Sequence, residues 1–155
     1  MSDGTAEGTL LVEDVRPGPI GVGVFDIFAT GDGRALFTVN DGTHGFEPWI
    51  SDGTAEGTYL VADINAGPSS SFAGVGGFAN IGDGRILFSA SDGTGTQLWV
   101  TDGTAQGTVL VKSLRAFDKP INVGGTIYFA GSGENDASSC QRFTRRRDAA
   151  ISNEL

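Results

Sequence analysis

Asp3, Asp52 and Asp102 are the residues of this chain best placed to do chemistry, since each opens an Asp-Gly-Thr-x-x-Gly-Thr motif. Clustered carboxylate and carbonyl oxygens are what a hard cation such as calcium takes. The spacing argues against it. No D-x-D-x-D-G loop with a closing glutamate occurs, and Gly131-Ser132-Gly133-Glu134-Asn135-Asp136 is only a faint echo of a glycine-aspartate calcium repeat. The expectation is structural: aspartate bonds its own turn backbone, glycine supplies the left-handed conformation, and no cofactor is needed. His44, the single histidine, sits in the loop Asp41-Gly42-Thr43-His44-Gly45, and the related loop Asp92-Gly93-Thr94-Gly95-Thr96 has none. A histidine can serve as a general base or touch a ligand, but together with distant Cys140 it supplies too few ligands for a zinc site. Trp49 and Trp99 hold equivalent positions. Exposed, they would stack on sugar rings; their recurrence fits packing between repeats first. Gly21-Val22-Gly23 and Gly74-Val75-Gly76-Gly77 lack the strand-to-helix context and Lys-Ser/Thr ending of a phosphate loop. No catalytic constellation emerges, and the chain is read as non-enzymatic.

The elements that must carry these residues follow from self-similarity. Ser2-Asp3-Gly4-Thr5-Ala6-Glu7-Gly8-Thr9 recurs unchanged at Ser51–Thr58 and nearly so at Thr101–Thr108, at spacings of 49 and 50 residues. An apolar strand follows each motif: Leu10–Val15, Tyr59–Ile64 and Val109–Leu114. A second strand is expected at Phe25–Ala29, Phe78–Ile81 and Ile121–Val123, and a third at Arg34–Val39, Arg85–Ala90 and Thr126–Ala130. The fourth carries tryptophan, at Phe46–Ile50 and Gln97–Val100. The third strand alternates with period two, setting Ala35, Phe37 and Val39 against Leu36 and Thr38. Asp32-Gly33, Asp83-Gly84 and Gly124-Gly125 join strands two and three, as pairs favoured in tight hairpins with positive φ at both central positions. The fold is therefore expected to be all-β, of antiparallel four-stranded repeats: residues 2–50, 51–100, an incomplete 101–135, and a degenerate tail at 136–155. Four strands in about fifty residues is the size of a propeller blade, and single four-stranded sheets must stack to bury both faces.

Twenty-five glycines fit a chain of many short strands and tight turns. The net charge of −9 is carried by residues 1–130, with fifteen acids and six bases, while 131–155 is balanced. Such a body disfavours nucleic acid, which needs a basic footprint, and the isolated Arg145-Arg146-Arg147 run does not reverse it. No apolar run long enough for membrane insertion is present. One cysteine forms no internal disulfide. Without a signal segment at Met1, the chain is expected to be cytosolic or a piece of a longer exported protein.

Glu47-Pro48-Trp49-Ile50-Ser51-Asp52-Gly53-Thr54 and Gln97-Leu98-Trp99-Val100-Thr101-Asp102-Gly103-Thr104 resemble the ELWxxDGT repeat family, as does Asn40–Phe46. The resemblance covers about residues 2–130. It implies a propeller-like fold within a long bacterial protein, extracellular or at the cell surface, and brings no catalytic residues. The motif also resembles the Asp-box hairpins of sialidase-type propellers, where the aspartate organises a turn. Pro48 departs from the leucine of the pattern and should make its strand an edge. The expected function is a binding, adhesion or spacer module for a glycan or protein ligand, with His44, Trp49 and Trp99 as candidate contacts. The alternative is a glycan hydrolase or lyase with a site on the rim or channel. Three blades fall short of a closed ring, so two chains are expected to pair into one six-bladed ring.

Overall fold

In the computed structural model, residues 1–72, 77–112, 115–116, 120–132, 139–145 and 151–153 are described. None of them is helical, and the strands form three antiparallel sheets. The first sheet orders β1 (Val24–Ala29), β2 (Ala35–Asn40), β3 (Phe46–Ser51) and β4 (Tyr59–Leu60). The second repeats this meander with β5 (Phe78–Asn80), β6 (Ile86–Ser91), β7 (Thr96–Thr101) and β8 (Val109–Lys112). In the third, β10 (Ile121–Val123), β11 (Thr126–Ser132), β12 (Ser139–Arg145) and β13 (Ile151–Asn153) lie in order, and β9 (Arg115–Ala116) adds to β11. The first two sheets therefore close with the strand that follows the next Asp-Gly-Thr motif, so sheets and sequence repeats are offset by one strand.

That offset explains the first correction. Leu10–Val15 forms no strand, and Leu10 and Leu11 lie 58% and 81% exposed. The equivalent segments become β4 and β8 because a tryptophan strand lies beside them, pairing Trp49 with Leu60 and Trp99 with Leu110. Leu10 exchanges bonds with Met1 alone. The second correction is Pro48, whose strand is interior, between β2 and β4. The missing donor acts on the neighbour instead. Pro48 O accepts Val61 N at 2.8 Å, but nothing is donated back, and β4 ends at Leu60. With Leu98 at that place, β8 runs on to Lys112. Third, the tail read as degenerate contains β12, paired with β11 from Thr126↔Thr144 to Gly131↔Ser139, and Gln141 stands where the tryptophan would. A backbone ladder needs no particular side chain, which is why its sequence disguises it.

The hairpins differ too. Gly124 and Gly125 form a two-residue turn, both with positive φ. Around Asp32 and Asp83 the loops hold three residues, closed by Thr30 N to Arg34 O and Ile81 N to Arg85 O, each 3.0 Å. Positive φ falls on the flanking Gly31, Gly33, Gly82 and Gly84, not on the aspartates.

Packing follows period two. Leu36 and Ile50 of the first sheet, with Val61 just beyond β4, meet Phe78, Ile86, Phe88 and Ala90 of the second. On the second sheet's other face, Leu87, Leu98 and Val100 meet Ile127 and Phe129 of the third. The first interface is centred on aromatic rings, with Phe72 stacked on Phe88 at 5.8 Å and Phe78 tilted against both. First strands stack in a column at one end: Asn80 Nδ2 donates to Thr30 O at 2.9 Å, and Asn122 Nδ2 to Asn80 O at 2.6 Å.

Candidate functional site

The meander gives each sheet two chemically different ends. One end holds the Gly-Asp-Gly hairpins and the Asp-Gly-Thr turns, here called the turn end. The opposite end holds the loops 41–45 and 92–95 and the connector 61–72 between sheets.

At the turn end the three motifs are the same hydrogen-bonded object. Asp3 Oδ1 accepts the Thr5 amide at 2.9 Å and its hydroxyl at 2.8 Å, and Thr5 Oγ1 in turn accepts Gly8 N at 2.9 Å. Asp52 and Asp102 repeat these bonds with Thr54, Gly57, Thr104 and Gly107. A hydroxyl pair, Ser2–Thr9, Ser51–Thr58 or Thr101–Thr108, closes each base. The last glycine is set by contact: a Cβ on Gly8, Gly57 or Gly107 would lie 2.0, 2.0 or 2.1 Å from the aspartate oxygen. These bonds hold the carboxyls below their ordinary range: the Thr5 amide leads for Asp3, the Thr54 hydroxyl for Asp52, and the Thr104 hydroxyl, against some burial, for Asp102. Their oxygens thus serve the turn, and among the described residues no cluster of acids, histidine or cysteine is arranged to hold a metal. Asp32 and Asp83 likewise clamp Arg34 and Arg85 at 2.7 Å. The Arg34 bonds, with help from Thr30, hold Asp32 well below the carboxylate range. Arg34 also reaches Asp102 O, and Tyr59 Oη donates to Gly103 O at 3.2 Å, so the second sheet's turn docks on the first sheet.

At the connector end, Asp41 Oδ1 accepts the amides of Thr43 (2.8 Å) and His44 (2.9 Å), while Oδ2 meets His44 Nδ1 at 2.7 Å. Bonding to Asp41 raises the His44 pKa, and Asp63 and Glu47 add to it. Burial opposes ionisation of Asp41, but the His44 and Thr43 bonds outweigh it and its pKa falls. This is an acid–histidine pair. Among the described residues, Asp41 is the hydrogen-bond partner of the ring.

Glu47 was not singled out from the sequence. Its side chain is fully buried, and its carboxylate ties down the connector: Ile64 N at 3.0 Å, Asn65 N at 3.4 Å, Ser71 N at 2.9 Å and Ser71 Oγ at 2.6 Å. Burial pushes its pKa up, and those donors oppose the shift. Gly45 lies against this connector; a Cβ there would fall 2.6 Å from Ser69 backbone. The signal for Glu47 was available: a polar residue in step with Trp49, matched by Gln97 in step with Trp99. Beside the connector, Phe25, Asp26, Thr38, Phe46 and Phe72 line a cavity of about 310 Å³.

Both tryptophans are half-buried; Trp99 packs on the core between the first two sheets and donates Nε1 to Ala90 O at 3.2 Å. Trp49 Nε1 is buried without an acceptor among the described residues. His44 is brought near Glu47 and Asp63, whereas the Asp-Gly-Thr turns stand at the opposite end. Residues 74–76 of the glycine run and 133–136 of the faint calcium motif lie outside the described residues. No helix among the described residues is long and apolar enough to cross a membrane. Comparison with family models, curated proteins and solved structures finds no match to this chain.

Proposed function

We propose that the chain is a non-enzymatic, propeller-like repeat module that binds a glycan or protein ligand at its connector end, within an exported or surface bacterial protein of the ELWxxDGT type. One observation carries this: the interface between the first two sheets is made again between the second and third by residues at the same repeat positions, as blades in series require. The turn end spends its polar groups on itself. The connector end instead gathers His44, Asp41, Asp63 and an open aromatic cavity, which suits ligand contact. Folding needs no calcium, because the aspartate oxygens already take their own turn's donors.

The test is a glycan and peptide array probed with the full chain. The expected result is retained ligand that is lost on His44→Ala and kept on Glu56→Gln, a change in the turn at the other end. Release of new reducing ends from a bound glycan would overturn the non-enzymatic assignment. Binding lost through Glu56→Gln alone would move the site to the turn end.

A further inference from the structure

We propose that the hairpins Asp32-Gly33 and Asp83-Gly84 are where the folded chain forms isoaspartate, while its other Asp-Gly pairs are guarded against the same reaction. Both hairpins lie at the turn end, and the reaction does not depend on what the connector end binds. In an Asp-Gly pair the glycine nitrogen can attack the aspartate Cγ, since no Cβ on glycine shields the approach. The N–Cγ bond forms, the carboxyl hydroxyl departs with the nitrogen's proton as water, and a five-membered imide results. Water then opens the imide at the former main-chain carbonyl. The chain now runs through Cγ, one methylene longer, and the old carbonyl carbon carries the free carboxylate. No atom is gained or lost overall.

The Asp-Gly pairs begin at residues 3, 32, 41, 52, 83, 92 and 102, and they form a controlled comparison. All their glycines have positive φ, between 84° and 94°. All their carboxylates accept the amide two residues on, as Asp3 does from Thr5 and Asp32 from Arg34. What differs is the nucleophile. In five pairs the glycine amide donates to the side chain two residues before it, that of Ser2, Asn40, Ser51, Ser91 or Thr101, at 2.7–3.2 Å. Such a bond keeps the proton on the nitrogen and fixes the direction of the peptide plane. In the two hairpins that place is held by Gly31 and Gly82, which have no side chain to offer. The amides of Gly33 and Gly84 meet no acceptor among the described residues, and both glycines are exposed to water. Arg34 and Arg85 favour the ionised carboxylate, which slows the loss of water, but the threonine bonds of the guarded turns act in the same direction. The nitrogen therefore separates the two groups. At Asp32 the change would move the carboxylate away from Arg34, the side chain that also reaches Asp102 O in the second sheet's turn.

The experiment keeps the full chain folded at neutral pH for weeks, digests it, and maps isoaspartate by electron-transfer fragmentation, which distinguishes the two isomers. Isoaspartate should accumulate at Asp32 and Asp83 roughly fivefold faster than at the guarded pairs, the worth of one net hydrogen bond on the attacking nitrogen. Unfolded in urea, the same chain should react at similar rates at every pair. Ser2→Ala frees the Gly4 amide in a turn that joins no described strands, and should raise the rate at Asp3 to that of the hairpins. Ser51→Ala should do the same at Asp52. No isoaspartate at the hairpins, equal rates at every pair in the folded chain, or an unchanged rate at Asp3 in Ser2→Ala would each overturn the proposal.

Discussion

Aspartate does two different jobs in this chain, decided by what lies within hydrogen-bond reach. In the turns it accepts from a threonine two residues on, and becomes part of the backbone's own accounting. Asp41 also accepts from the His44 ring, at 2.7 Å. Because the His44 pKa is raised, the stability it contributes is full below its ordinary value of 6.5 and is lost as pH climbs through the folded value. A carbon-detected or proton NMR titration of His44 should therefore show a midpoint above that value, and Asp41→Asn should bring it back down. Glu47 poses the opposite case. Its raised pKa means that the charged form is the less favoured one inside the fold, so its contribution is best at low pH and declines as pH rises through the folded value. Even so, Glu47→Ala would strand the half-buried amides of Ile64 and Asn65, while Ser71 keeps Phe46 O as an acceptor, at a cost of about 2 kcal/mol. Urea unfolding should register that loss, with the connector amides losing hydrogen-exchange protection first.

The Asp-Gly-Thr turn is one chemical object in three contexts, which makes it a clean probe of element-level stability. Adding a methyl to Gly8, Gly57 or Gly107 drives it into the aspartate by the same distance. The turn at 51–58 joins β3 to β4 and the turn at 101–108 joins β7 to β8, whereas the turn at 2–9 joins no described strands. Gly57→Ala and Gly107→Ala should therefore each cost about 1–3 kcal/mol, the scale of forced overpacking, and Gly8→Ala should leave the melting temperature nearly unchanged. Equal losses in all three would mean that the first turn is as deeply tied to the fold as the others. Pro48 teaches the complementary lesson: a residue that removes one bond shortened the neighbouring strand without moving its own strand to an edge.

For the whole molecule, the informative comparison is between equivalent positions inside and at the ends of the stack. Leu87 faces the third sheet and is fully buried, while Tyr128, the same position on the last sheet, is 36% exposed. At the other end, Phe37 is half-buried where its counterpart Phe88 has no exposure. The described strands close no ring, and both end faces carry the chemistry of an interior interface. A second chain could seat its first sheet on the last sheet of its partner, and the reverse, giving six blades about a two-fold axis. Sedimentation velocity should show a dimer that dissociates on dilution, and Tyr128→Glu should shift it to monomer without loss of strand signal in circular dichroism. A concentration-independent monomer would dismiss this closure.

The sequence by itself determined the all-β class, the positions of most strands and the faces they bury. These depend on local patterns: period two in Ala35–Val39 and Ile86–Ala90, glycine where φ is positive, and a motif repeated at constant spacing. It could not decide whether Leu10–Val15 is a strand, because an apolar segment becomes one only where another backbone is beside it. Nor could it reveal β12, whose ladder with β11 is made by main-chain groups that every sequence possesses. Tertiary structure alone placed Glu47 under the connector, set Trp99 into an interface, and gathered Phe25, Asp26, Phe46 and Phe72 around one cavity. Those residues are up to 47 positions apart, and only the folding of the connector back onto β3 makes them neighbours.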